Sequence, residues 1–258
     1  MARRRGSARR RRRRGGGFLY KLLSVFLICG CLVAAITLFF RVDTVVIAGE
    51  KRYTEAEIRQ ASGVEDGDNL FLLNKYQVIR DIAEALPYIE IENTRIQRKL
   101  PDTLLIQVQE CGDPLAWTQD GTVWLMSPAG KIVEQTDTAA GHPTVDGCEL
   151  LSPSVGTQIA VDMAYETRRE SLLELLAVLD ETGELAKVDA IHLGEASYIS
   201  MDYMDRFTVK MPYQADFSYK LRVLELAINS DKIQDNMTGT FDMRQEDGQV
   251  IFDQDTRE

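Results

Sequence analysis

Few residue types in this chain are suited to catalysis. Only His142 and His192 occur in 258 residues, which excludes a multi-histidine metal centre and offers at most two imidazole bases. His142 precedes Pro143 in a loop, and His192 falls in an apolar stretch that reads as a strand, so both are expected to be surface or packing residues. The 40 carboxylates are numerous enough to include a general acid and a general base. Glu65-Asp66-Gly67-Asp68-Asn69 has the look of a calcium loop. In an EF-hand register starting at Asp66, however, Leu70 would occupy a ligand position, so a solvated turn is expected. There is no nucleophile elbow, H-E-x-x-H helix, phosphate-binding loop or dinucleotide fingerprint. The expectation is therefore no catalytic residue, no metal and no cofactor. A wall-degrading hydrolase using paired carboxylates stays open as the alternative.

Charge is divided sharply along the chain. Nine arginines precede Gly15, among them Arg9, Arg10, Arg11, Arg12, Arg13 and Arg14, and Lys21 follows; residues 1–40 hold no acid. The remainder carries 20 basic and 40 acidic residues, a net of −20. Between the two parts, the 19 residues from Leu22 to Phe40 are uncharged and almost wholly apolar. As a helix they span roughly 28 Å, close to the hydrocarbon core of a bilayer. The arginines are topogenic in this reading: they stay in the cytoplasm while everything after Arg41 is exported. A signal-peptidase cut near Ala35 is the rival, but the apolar run continues through Phe40. The tail is not expected to bind nucleic acid. Cys29 and Cys31 lie within the span, and Cys111 and Cys148 face an oxidising side where pairing and free thiols are both open.

Elements alternate in type beyond the span. Val42 to Ala48 reads as a strand ending at Gly49. Thr54-Glu55-Ala56-Glu57 is a capping box for a helix stopping at Gly63. Asn74 caps a second helix, with Val78, Ile82 and Leu86 on one stripe, ended by Pro87. Ile89 to Ile96 and Leu104 to Val108 alternate as strands around a Pro-Asp turn. From Pro114 onward, Trp117, Val123 to Met126 and Lys131 to Val133 have hairpin grammar. Thr167 to Glu170 is placed to cap a helix carrying Leu172, Leu175, Leu176 and Leu179. Strands recur at Ala190 to Leu193, Ser197 to Tyr203 and Phe207 to Met211. A helix with Phe217, Leu221, Leu224 and Ile228 on one stripe precedes a closing hairpin, Thr240 to Arg244 and Gln249 to Phe252, around Asp247-Gly248.

A β-α-α-β-β unit directly after a membrane span resembles the polypeptide-transport-associated (POTRA) domain. Val42-Asp43-Thr44-Val45-Val46-Ile47-Ala48-Gly49, then Tyr53-Thr54, Gly67-Asp68-Asn69-Leu70-Phe71 and Arg98-Lys99-Leu100-Pro101-Asp102-Thr103-Leu104 are similar to the FtsQ/DivIB family of bacterial cell-division proteins. Gly239-Thr240-Phe241-Asp242-Met243-Arg244 and Gly248-Gln249-Val250-Ile251-Phe252 resemble the ending of that family's β domain. The expected fold class is α+β: a basic cytoplasmic tail over 1–17, a transmembrane helix over 18–40, a POTRA-like domain over 41–111, a β-rich α+β domain over 112–252, and a C-terminal tail over 253–258.

The resemblance implies a non-enzymatic scaffold of the divisome. It would be a single-pass type II protein of the cell membrane, at the septum, with the lipid bilayer and FtsB/DivIC-like and FtsL-like bitopic proteins as partners and no small-molecule substrate. Strand addition at an open sheet edge suits such binding. The last strand, followed by only six residues, is the candidate: Gln249, Val250, Ile251 and Phe252, with Phe241 and Met243 beside it.

Overall fold

The computed structural model describes residues 16–49, 51–234, 236–245 and 249–255. The topogenic arginines and the Asp247-Gly248 turn lie outside the described residues. Helix α1 spans Gly16–Phe39. Its stretch Leu19–Phe39 is 21 residues long and apolar enough to cross a membrane.

The first folded unit follows at once, as β1 (Thr44–Ala48), α2 (Glu55–Ser62), α3 (Lys75–Ala85), β2 (Arg95–Lys99) and β3 (Thr103–Gln107). Its three strands run in the order β1-β3-β2, with β1 parallel and β2 antiparallel to β3. Both parts of the capping box form, as the Thr54 side chain accepts from the Glu57 N–H and the Glu57 carboxylate accepts from the Thr54 N–H. Asn74 caps α3 as the sequence predicts. Ile58, Leu70, Ile82, Leu104 and Ile106 are fully buried between helices and sheet. Gly49 has φ +94°, and a Cβ there would meet the Val108 carbonyl oxygen at 2.1 Å, so glycine alone lets these backbones approach.

The expected strand from Ile89 to Ile96 is shorter in the structure, because only Arg95–Lys99 pairs as a strand. Glu90 binds the intervening residues into a turn. Its carbonyl accepts from the Thr94 hydroxyl at 2.6 Å and its carboxylate from Asn93 at 2.9 Å. Such local side-chain bonds compete with a ladder.

The second unit is a nine-stranded sheet with two helices on one face. Its elements are β4 (Leu115–Gln119), β5 (Thr122–Met126), β6 (Ile132–Thr136), β7 (Thr144–Asp146), α4 (Glu166–Thr182), β8 (Val188–His192), β9 (Tyr198–Tyr203), β10 (Phe207–Pro212), α5 (Phe217–Ile228), β11 (Gly239–Asp242) and β12 (Ile251–Gln254). The strand order is β12-β11-β10-β9-β8-β7-β4-β5-β6. Leu172, Leu175, Leu176 and Leu179 of α4 and Phe217 and Leu224 of α5 bury against Val145, Ile191, Met201, Val209 and Phe241 of the sheet. The cap expected at Thr167 does not form. Helix α4 begins at Glu166 after a 3-10 turn over Met163–Tyr165, whose own cap is Asp162. Strand β7, next to the His142-Pro143 loop, had no sequence signal.

The two units touch through Tyr88. Its ring packs with Ala116, Val123, Leu125 and Val133 on the sheet face opposite the helices. Its hydroxyl donates to Glu134 at 2.5 Å, and the Arg52 guanidinium lies 3.9 Å from its ring centroid. From the other side, the Lys131 ammonium donates to the Ala83 carbonyl at 2.9 Å. Cys111 and Cys148 are free thiols. Burial pushes the Cys111 thiol up to about 11.

Candidate protein-binding edge

Two strands from the C-terminal part of the chain end the large sheet. Strand β11 adds parallel to β10 after the α5 crossover, and β12 returns antiparallel as the terminal strand. Register pairs Phe241 with Phe252 and Asp242 with Ile251. One rung past the strand, the Asp255 N–H donates to the Thr238 carbonyl at 3.0 Å. Antiparallel ladders alternate in pairs of bonds. Asp253 and Ile251 therefore turn their N–H groups toward β11, while those of Phe252 and Gln254 point outward, where a further strand would bond.

Aromatic packing fastens this edge to the core. Phe241 lies 4.7 Å from Phe252 and 5.1 Å from Phe207, centroid to centroid. Such ring contacts add about 0.5–1.5 kcal/mol beyond area burial. A second fastening comes from α5. Lys220 is buried, yet its ammonium donates to the carbonyls of Met243 at 2.8 Å and Gln245 at 2.7 Å. A buried ammonium is tolerated only with such partners. It holds the chain that leaves β11 and leads to β12. On the outer surface Arg244 pairs with Asp242 at 2.5 Å and lies over the Tyr198 ring. The hydrogen bond from Arg244 holds the Asp242 carboxyl below its ordinary range.

The six residues singled out in the sequence fall into three groups. Ile251 and Phe252 belong to β12. Gln249 and Val250 precede the strand, which instead continues through Asp253 and Gln254, two residues beyond the expected end. Phe241 and Met243 are buried toward the helices, so they support the edge from beneath. Ile251 is 49% exposed on the outer face. Sequence reading missed Lys220, although its position was informative: three residues after Phe217 and four before Leu224, it puts a charge on the apolar stripe of α5.

Elsewhere several titratable groups are engaged in structural bonds. A cleft of about 650 Å³ is lined by His142, Asp113, Asp180 and Asp189. Within it the His142 Nδ1 donates to the Pro114 carbonyl at 3.1 Å, and Asp189 accepts the Asp205 N–H at 2.7 Å. His192 bridges two carboxylates on the open sheet face, with Nδ1 at 2.9 Å from Asp146 and Nε2 at 3.1 Å from Asp202. A hydrolytic general acid needs a carboxyl held above its ordinary range. Among the described residues, every carboxylate with a displaced pKa is shifted down: Glu57 by the Thr54 N–H, Glu166 by Arg169, Asp242 by Arg244, and Glu184 by Lys187 and Tyr203 against opposing desolvation. No group of three or more potential metal ligands occurs among the described residues.

Residues 40–110 match the family model described as POTRA domain, FtsQ-type. Across 212 residues the chain is 26% identical to a cell division protein FtsQ of Bradyrhizobium diazoefficiens, covering 82% of this chain and 56% of that one. It is 26% identical over 160 residues to a cell division protein DivIB of Clostridium acetobutylicum, covering 60% and 61%. With DivIB of Clostridium tetani it shares 21% over 217 residues, 83% and 80% of the two chains. The chain thus spans little more than half the length of the first two of these curated relatives.

Proposed function

We propose that this chain, which belongs to the FtsQ/DivIB family of cell-division proteins, is a non-catalytic scaffold held in the cell membrane at the division septum. The basic tail stays in the cytoplasm, α1 crosses the bilayer, and both folded units lie outside. Small bitopic division proteins of the FtsB/DivIC and FtsL kinds bind it, and the complex supports septal wall synthesis.

One observation carries the binding mode: β12 ends the sheet with the main-chain groups of Phe252 and Gln254 directed away from β11. A partner segment that extends along this edge gains main-chain hydrogen bonds for affinity. Alternating contacts with Ile251 and Asp253 provide specificity. The acid-rich exterior, with Asp242 and Asp253 on the outer face, favours a partner strand carrying basic side chains.

The test is localisation in dividing cells of a fluorescent fusion at the N-terminus, with site-specific crosslinking from position 254. A mid-cell band together with adducts to a small bitopic protein is the expected result. Uniform envelope fluorescence without such adducts would remove the septal assignment.

A further inference from the structure

We infer that the loop Asn69–Leu73 and the turn at Leu100 form a lipid-contacting surface, seated in the phospholipid headgroup layer beside the C-terminal end of α1. The inference rests on reading α1 as a membrane span.

The loop is bonded directly to the end of that helix. The Asn69 side-chain amide donates to the Ile36 carbonyl at 3.0 Å, and the Leu70 N–H donates to the Phe40 carbonyl at 3.0 Å. Arg41 bridges to Asn69, and the Phe40 and Phe71 rings meet edge to face at 5.0 Å. Ile36 lies three residues inside the last residue of the apolar helix, about 4.5 Å along its axis at the α-helical rise. Asn69 therefore sits at the depth where the apolar span ends, and its neighbours in the loop lie at the same level. Asn69 also fixes the loop's shape: its side-chain oxygen accepts from the Phe71 and Leu72 N–H groups at 2.9 and 3.2 Å.

The strand register brings a second segment to the same level. Thr44 is paired in parallel with Thr103, and the Asp43 N–H donates to the Asp102 carbonyl at 2.9 Å. Lys99 pairs with Thr103 on the far side of β3, so the β2-β3 turn over residues 100–102, which carries Leu100, lies at the end of the sheet where the chain emerges from α1.

At that end the apolar side chains face outward. Phe71 is 44% exposed, Leu72 77%, Leu100 57% and Tyr76, in the first turn of α3, 82%. Single exposed apolar residues are ordinary on a protein surface, whereas a cluster of them marks an interaction site. Lys75 and Lys99 stand beside Tyr76 and Leu100 in sequence. Aromatic rings and lysines with apolar stems are the residues that settle at the membrane interface. A lipid surface is the one occupant that the attachment to α1 forces into proximity with this cluster.

The test uses the full chain in phospholipid vesicles, on a cysteine-free background shown to melt like the parent. Single cysteines at Leu72 (L72C), at the 91% exposed Met163 (M163C) and at the restored native Cys29 carry an environment-sensitive fluorophore. Lipids bearing a nitroxide near the headgroup should quench emission at position 72 and leave position 163 bright, while lipids with a deep nitroxide quench Cys29. A label at 72 as bright as that at 163, with Cys29 quenched, overturns the inference and leaves the span intact. An unquenched Cys29 overturns both. A photoreactive amino acid at position 72 of the otherwise unaltered chain gives a second readout, where the expected product is a phospholipid adduct and its absence counts against the contact.

Discussion

Lys220 of α5 donates its ammonium to the main-chain carbonyl of Met243 at 2.8 Å while only 6% exposed. A buried cation thereby anchors the chain just beyond β11. The same ammonium holds Gln245, so one side chain fixes the path by which the chain leaves β11.

Replacing it as Lys220→Met keeps apolar bulk but leaves two carbonyls without their donor. Unpaired buried acceptors cost about 1–3 kcal/mol. We expect a loss of that order in denaturant unfolding, with faster amide exchange over Ile251–Gln254 than over β9. Unchanged stability and exchange would show that the edge is held by the Phe207, Phe241 and Phe252 rings alone.

Gln254→Pro addresses the edge itself. Proline removes an N–H and fixes φ, and here the N–H lost is one that points away from β11. The side chain is exposed, so stability should change by no more than about 0.5 kcal/mol, while capture of a strand-adding partner weakens several-fold. Equal affinity of the two proteins in a purified binding assay would exclude strand addition at β12.

Tyr88 couples the two folded units. Tyr88→Ala empties the cluster with Ala116, Val123, Leu125 and Val133, a change that costs about 3–5 kcal/mol when a large aromatic is lost. We expect calorimetry to resolve two melting transitions in place of a more cooperative one. Tyr88→Phe, which loses only the bond to Glu134, should stay close to the parent. A single unshifted transition for the alanine variant would mean that the units are not coupled through this ring.

His192 gives stability a pH dependence of defined sign. Desolvation lowers its pKa, but the bonds to Asp202 and Asp146 outweigh this and raise it above the ordinary value. The folded state therefore holds the proton more tightly than the unfolded chain. The stabilising contribution is complete below about 6.5, the ordinary histidine value, and disappears as pH rises through the elevated folded value. A His192→Gln protein should lose this slope in melting temperature against pH. The same slope in both proteins would assign it to other groups.

Much of the fold was readable because it is local. The Thr54-Glu57 capping box, the Asn74 cap, the α5 stripe of Phe217, Leu221 and Leu224, and the β4-β5-β6 hairpins all formed where periodicity and turn residues put them. The misreadings share a cause. At Ile89 and Ile91 the alternation mimics a strand, yet Glu90 closes a turn there. Strand β7 is only Thr144–Asp146, too short to show a period, and exists because β4 and β8 flank it. His192 sits in a strand as expected, but nothing near it in sequence announces Asp146, 46 residues away.

By itself, then, the sequence determined the apolar helix, the charge asymmetry, the order of elements and the dispersed motifs of the FtsQ/DivIB family, since each is written in composition or in neighbours a few residues apart. Tertiary structure alone decided which strand ends the sheet, which of its N–H groups face outward, that Lys220 reaches Met243, and that Asn69 rests on the end of α1. Those facts depend on pairings between distant segments. A strand's two edges present the same main-chain groups until the rest of the chain has covered one of them.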